Sequence, residues 1–257
     1  MEKYRQSLGW VLAFLVLAAV PVSAEHHEEA DKPADAESQA KAKAILQAAD
    51  EAIKKVDAAS FKGRLEPSGI ALNFVQASKG EGVMSGWQAD YGMPQYFYGV
   101  SETTRDGKEV KIEGGGNGDT FYVIDHANKK GYEDMDPGVM GSMGNALRGI
   151  GLMELVHPAP FDDELGSELT YLGTEEVDGV LCDKVNVVYT GGRGESTWFI
   201  AQEDHLPRRR VRHFKTPQGE GAIQITISEL NTGPKIDSSQ FTMTLPEGYE
   251  AVDDFAP

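Results

Sequence analysis

The chain has 257 residues, 41 of them acidic and 24 basic, for a formal charge of −17 and with one cysteine, Cys182. Such a charge repels phosphate backbones and anionic lipid surfaces, which excludes nucleic acid as an expected partner. A single cysteine allows no intrachain disulfide, so stability must come from an apolar core, and the chain is long enough to bury one as a single domain.

Residues 1–24 read as a secretory signal peptide. Lys3 and Arg5 form the charged start, residues 8–20 the apolar core, and Val22-Ser23-Ala24 a small-residue cleavage site. An uncleaved N-terminal anchor is the alternative. No cysteine follows the apolar core, so no lipid anchor is expected there. Cleavage after Ala24 removes Glu2, Lys3 and Arg5 and leaves a charge of −18. The product is expected in the periplasm, as a monomer. Residues 25–37 (EHHEEADKPADAE) are acidic and too polar to bury, and are expected to be a disordered tail. Its start, Glu25-His26-His27, allows two readings. A free amine, two backbone amides and a third-position imidazole could hold Cu(II) or Ni(II) in a square plane. The plainer reading is a solvated tail with two incidental histidines.

The folded domain is expected over residues 38–257. Residues 38–60 carry Ala40, Ala44, Ile45, Ala48, Ala52, Ile53 and Val56 at helical spacing, with Ser38 as a cap and no internal glycine or proline. Strands are predicted at 61–66, 70–77, 83–89, 95–105, 108–113 and 120–125, with turns at Pro67-Ser68-Gly69, at 80–82 and at Asp106-Gly107. The glycine run 114–118 lacks a following Gly-Lys-Ser/Thr and precedes a strand, so it reads as a hairpin loop and not a phosphate cradle. Residues 136–156 crowd Met140, Met143, Leu147 and Met153 among glycines at 138, 141, 144, 149 and 151. These read as short helices, either ordinary core or a mobile apolar lid, since glycine loosens a helix and methionine adapts to irregular partners.

From residue 168 to 254 the chain reads as antiparallel strands. Ile223, Ile225 and Ile227 alternate with Gln224, Thr226 and Ser228, and Phe241, Met243 and Leu245 alternate with Thr242 and Thr244. Each such strand has one apolar and one polar face. Residues 181–190, 196–201 and 208–215 complete the run. Arg208, Arg209, Arg210 and Arg212 are the one basic concentration. They serve either as a charged edge that resists aggregation or as a docking patch for an acidic partner. No catalytic signature of nucleophile, metal or phosphate type is present, and no enzyme activity or cofactor is expected. Cys182 reads as a small hydrophobe in a strand, and Asp125-His126 as a turn pair.

Several segments, in order, carry a resemblance. A signal peptide precedes one helix and a Phe61-containing strand. Gly86-Trp87 leads to a Pro94 turn and the aromatic strand Tyr96-Phe97-Tyr98. Gly118-Asp119-Thr120-Phe121-Tyr122-Val123 follows. The closing signature is Asp237-Ser-Ser-Gln-Phe241-Thr-Met-Thr-Leu-Pro246-Glu-Gly248, then Val252-Asp253-Asp254. On these the chain resembles the LolA-like periplasmic lipoprotein carriers and their RseB-type sensor relatives. The resemblance implies an α+β fold. A curved antiparallel sheet forms an incomplete β-barrel, with an N-terminal helix and short lid helices over the concave face. It also implies a carrier or binder of lipid or lipoprotein acyl chains held between sheet and lid. An envelope sensor or protein-interaction module using the sheet surface is the alternative. The expected lining is Phe61, Leu65, Leu72, Phe74, Trp87, Phe121, Val123, Trp198, Ile200, Ile223 and Ile225 from strands, with Met140, Met143, Leu147 and Met153 from the lid. In one respect the chain departs from the carriers. They place a lid-latching arginine before the turn proline, and here Met93 precedes Pro94, so that latch cannot form.

Overall fold

The computed structural model describes residues 36–105, 107–136, 138 and 148–253. The signal peptide, the acidic tail with Glu25-His26-His27, and Met140, Met143 and Leu147 lie outside the described residues.

Twelve strands form one sheet. Six come first: β1 (Ala58–Gly69), β2 (Ser78–Ser85), β3 (Tyr96–Arg105), β4 (Lys108–Gly116), β5 (Phe121–Asp125) and β6 (Lys130–Asp134). After the segment at 148–166 come β7 (Glu168–Val177), β8 (Val180–Val188), β9 (Glu195–Ala201), β10 (Pro207–Thr216) and β11 (Gly219–Asn231), and last the short β12 (Glu250–Ala251). The order is β12-β6-β5-β4-β3-β2-β1-β11-β10-β9-β8-β7. Each run is a meander, and the two are stitched where β11 pairs antiparallel with β1, Gly63 facing Ile227 and Leu65 facing Ile225. Only β12 runs parallel to its neighbour, β6. The sheet is curved and not closed into a barrel, so the fold is α+β with few helices, as the resemblance implies.

Helix α1 (Ala36–Ile53) packs on β7, β8 and β9. It buries Ala42, Leu46, Ala49 and Ile53, a stripe rotated from the alanine-rich one expected. Ser38 lies inside the helix, where its hydroxyl donates to the Tyr171 carbonyl and accepts from the Tyr171 amide, and it is not the expected cap. A second helix, α2 (Asp162–Leu165), is a single turn.

Two expected strands and three expected turns or loops are corrected. Residues 70–77 form a 3-10 turn at Ile70–Asn73 and no strand. β1 instead continues through Pro67 to Gly69, because beyond Leu65 it has β11 but no β2 partner, and proline is tolerated on such an edge. The expected turn at 80–82 lies within β2. Its glycines admit close neighbours: a Cβ on Gly80 would strike the Val100 carbonyl, and one on Gly82 would lie 3.0 Å from the Phe61 ring. Glycines 114–116 belong to β4, beneath Tyr122 and Phe121. Residues 241–245 form no strand. They belong to a C-terminal strap that crosses the outer face of β3–β6. Tyr122 donates to the Gln240 carbonyl (2.7 Å), Phe241 is buried against Tyr96, and Met243 and Leu245 close over Gly131. The strap ends as β12, with Glu250 N–H donating to the Lys129 carbonyl.

The main core lies on the concave face, under α1 and two 3-10 turns, Arg148–Ile150 and Met153–Val156. Ile150, Leu152 and Leu155 are fully buried. This part of the expected lid is therefore pressed core and not loosely held. Gly149 sits on Leu65 and Gly151 lies against Phe61, while a Cβ on Gly63 would overlap the Ile150 carbonyl. Gly63→Ala is expected to force the turn off the sheet and to destabilise the fold by about 1–3 kcal/mol. A thermal midpoint equal to that of the parent protein would contradict this close contact.

Candidate functional site

Alternation along the strands sorts side chains to the two faces. Leu65 of β1, Arg210, Arg212 and Phe214 of β10, and Ile223 and Ile225 of β11 share the concave side with Met153 and the backbone of Gly149 and Gly151. Together with Gly92 they line a cavity of about 440 Å³. That volume is within the range of small-molecule sites, and the wall is mainly apolar, as such sites are.

Of the residues expected to line a hollow, Leu65, Met153, Ile223 and Ile225 meet at this cavity. Phe61, Phe121, Val123, Trp198 and Ile200 are buried in the continuous core, and Trp87 packs at its margin against His157, ring centroids 4.2 Å apart. Leu72 and Phe74 stand out on the surface, 64% and 60% exposed, with Phe74 meeting the edge of Phe214 at the rim. Met93, where the carriers have arginine, is buried core. Phe214, Arg210 and Arg212 were absent from the expected lining. The period-2 alternation through Arg210, Arg212 and Phe214 is the signal that could have found them.

The arginine cluster divides. Arg209 faces outward, bonded to Glu175 and lying 5.0 Å over the Phe199 ring, where it covers a small outer cluster of Val177, Cys182, Phe199 and Ala201. Arg208 is buried beside its own turn and donates to Asp204 (2.6 Å). A register shift between Pro207 and Arg209 separates it from the rest. Arg210 and Arg212 face the cavity. Burial pushes the Cys182 thiol up to about 11, the behaviour of a packed hydrophobe and not of a nucleophile. Asp125 accepts from the amides of Ala127 and Asn128 and closes a turn, while His126 bridges Glu113 and Tyr249 of the strap.

A second cavity, about 470 Å³, lies beyond Arg210 and Arg212 and is lined by polar groups that include Glu154, Asp163, Glu164, Tyr189 and Arg193. Here the Met153–Val156 turn is tied to the sheet. Arg210 pairs with Glu154 and lies 5.2 Å over the Trp198 ring. Glu164 is buried and accepts from the Tyr189 hydroxyl at 2.6 Å. Burial raises the Glu164 pKa above its ordinary 4.5, an effect only partly opposed by the Tyr189 bond. The folded state therefore favours the protonated acid. Its contribution is fully present below the ordinary pKa and is lost as pH rises through the folded value. Glu164→Gln is expected to be more stable than the parent at neutral pH and to lose that advantage below about pH 4.5. Denaturant midpoints across pH check this, and an advantage constant with pH would contradict it.

Among the described residues no group of His, Cys, Asp and Glu could hold a metal ion, and no helix is long and apolar enough to cross a membrane. No curated protein matches the chain. Solved structures do match. The Mycobacterium tuberculosis lipoprotein LppX aligns at 16% identity over 78% of this chain and 100% of its own, with TM-score 0.46. MucB of Pseudomonas aeruginosa, in its complex with MucA, aligns at 14% over 79% of this chain and 61% of its own, with TM-score 0.44. A domain from Vibrio parahaemolyticus described as a "putative outer membrane lipoprotein-sorting protein domain" aligns at 9% over 79% and 97%, with TM-score 0.33. From the buried turn through β7–β11 to the end of the strap, residues 152–253, the chain matches the family described as "Predicted periplasmic protein (DUF2092)".

Proposed function

We propose that this protein is a periplasmic binder or carrier of an apolar, acyl-type chain. The supporting observation is the cavity of about 440 Å³ left between β1, β10, β11 and the Met153–Val156 turn. Its walls offer Leu65, Met153, Phe214, Ile223 and Ile225 beside the guanidinium groups of Arg210 and Arg212. Apolar surface hidden from water contributes about 25 cal/mol per Å², so such a site binds by area. The volume suits one aliphatic chain. Three acyl chains would need the pressed turn at 148–156 to leave the sheet. A second reading, an interaction module, draws on the exposed Leu72 and Phe74 at the rim. These would meet a partner that delivers or receives the ligand.

Native mass spectrometry before and after delipidation, with titration of a fluorescent fatty acid, tests the ligand reading. The delipidated protein is expected to bind the probe, and Ile223→Glu to weaken it about tenfold by placing a charge in the apolar wall. A protein that purifies empty and ignores the probe would overturn the proposal.

A further inference from the structure

The cavity wall holds two guanidinium groups and, among the described residues, no carboxylate. Arg210 is already engaged, by Glu154 and by the face of Trp198. Arg212 follows two residues on, with Ser196 of β9 and Ile223 of β11 as its cross-strand neighbours. Its contact among the described residues is the Phe214 ring, 6.0 Å away. The other arginines with described side chains all have a carboxylate partner: Arg64 has Asp178, Arg193 has Asp163, Arg208 has Asp204, Arg209 has Glu175 and Arg210 has Glu154. In a chain with 41 acidic and 24 basic residues, an arginine with no ion pair among the described residues, at the mouth of a cavity, needs a reason.

We infer that the ligand is an anionic amphiphile, with its single apolar chain between Leu65, Met153 and Ile225 and its carboxylate or phosphate head on Arg212. The inference rests on the apolar-ligand reading above and deepens it. A guanidinium offers two parallel donors to two oxygens of such a head, and its flat face stays on Phe214. Arg212 is exposed, so the head remains hydrated while the tail is hidden. Arg212 also borders the polar cavity beyond, where Glu154, Asp162 and Asp163 stand beside Arg193 and Arg210. The apolar tail, which that cavity does not suit, sets the head on Arg212 from the side of Leu65 and Ile225.

The test is displacement of a bound fluorescent apolar probe from the processed protein at about pH 8, where a carboxylate is fully ionised. The competitors are dodecanoate, dodecyl phosphate, dodecanol and inorganic phosphate. Both amphiphilic anions are expected to displace the probe at concentrations about fivefold below that of the alcohol, the scale of a partly exposed charge pair. Inorganic phosphate should leave the probe in place, because it lacks the tail. In Arg212→Gln, checked by circular dichroism, the acid-to-alcohol ratio should fall to about one. Equal potency of acid and alcohol on the parent protein would overturn the head-group assignment and leave the apolar reading standing. A ratio that survives in Arg212→Gln would overturn the assignment to Arg212. A parent protein that binds no probe at all would overturn both.

Discussion

The structure depends on one backbone-to-backbone approach. The Ile150 carbonyl reaches the floor of the sheet over Gly63, while Gly149 and Gly151 let Leu65 and Phe61 rise to meet the same turn. A methyl group at Gly63 would hold the segment off the strands. With it seated, Ile150, Leu152 and Leu155 are sealed from water and the concave face has a core. The density of protein interiors leaves such a contact little slack. The turn fills the region over β1 and β2, and what stays open is displaced toward β10 and β11, where the cavity lies.

The sheet uses its two faces differently. The concave side carries the continuous apolar core and the cavity. The outer side is protected piecewise. Over β3–β6 the strap seats Phe241, Met243 and Leu245 against Tyr96 and Gly131, and ends by adding β12 to an otherwise open edge. Over β8–β10 the charged ends of Arg209 and Lys184 lie over the Phe199 ring and share Glu175. Such cation–ring contacts cover apolar surface while the carboxylate satisfies the charges. The strap also caps the β6 edge with the two-residue β12, and so short an edge strand offers little to edge-to-edge pairing.

Met93 and Arg210 play different parts around the covering turn. Met93 is buried in the core, and the hairpin loop that bears it is closed by the bridge between Gln88 and Met93. The ionic tie to the turn comes instead from the opposite side, where Arg210 of β10 meets Glu154 over Trp198. Because β10 also carries Arg212, one strand both anchors the covering turn and brings a second guanidinium to the cavity mouth.

The sequence by itself determined the strand alternation of β10 and β11, the helix at the start of the domain, and the likeness to the carrier fold. Each of these is local. A period of two or of 3.6, or a short signature, is written within a few neighbouring residues. Four of the expected lining residues, Leu65, Met153, Ile223 and Ile225, border the cavity. Only the tertiary structure decided the rest. Leu72 and Phe74 are as apolar as Leu65, yet they stand in solvent because β1 ends at Gly69 and carries them past the edge of the core. Phe241, Met243 and Leu245 alternate like a strand, yet they form a strap because the partners nearest to them are side chains on the outer face and not an open ladder. Four arginines in a short run look like one patch. Strand geometry, with a shift after Pro207, sends Arg208 to its own turn, Arg209 outward, and Arg210 and Arg212 into the cavity. Which neighbour a residue meets across a sheet depends on register between segments far apart in the chain, and no local pattern carries that information.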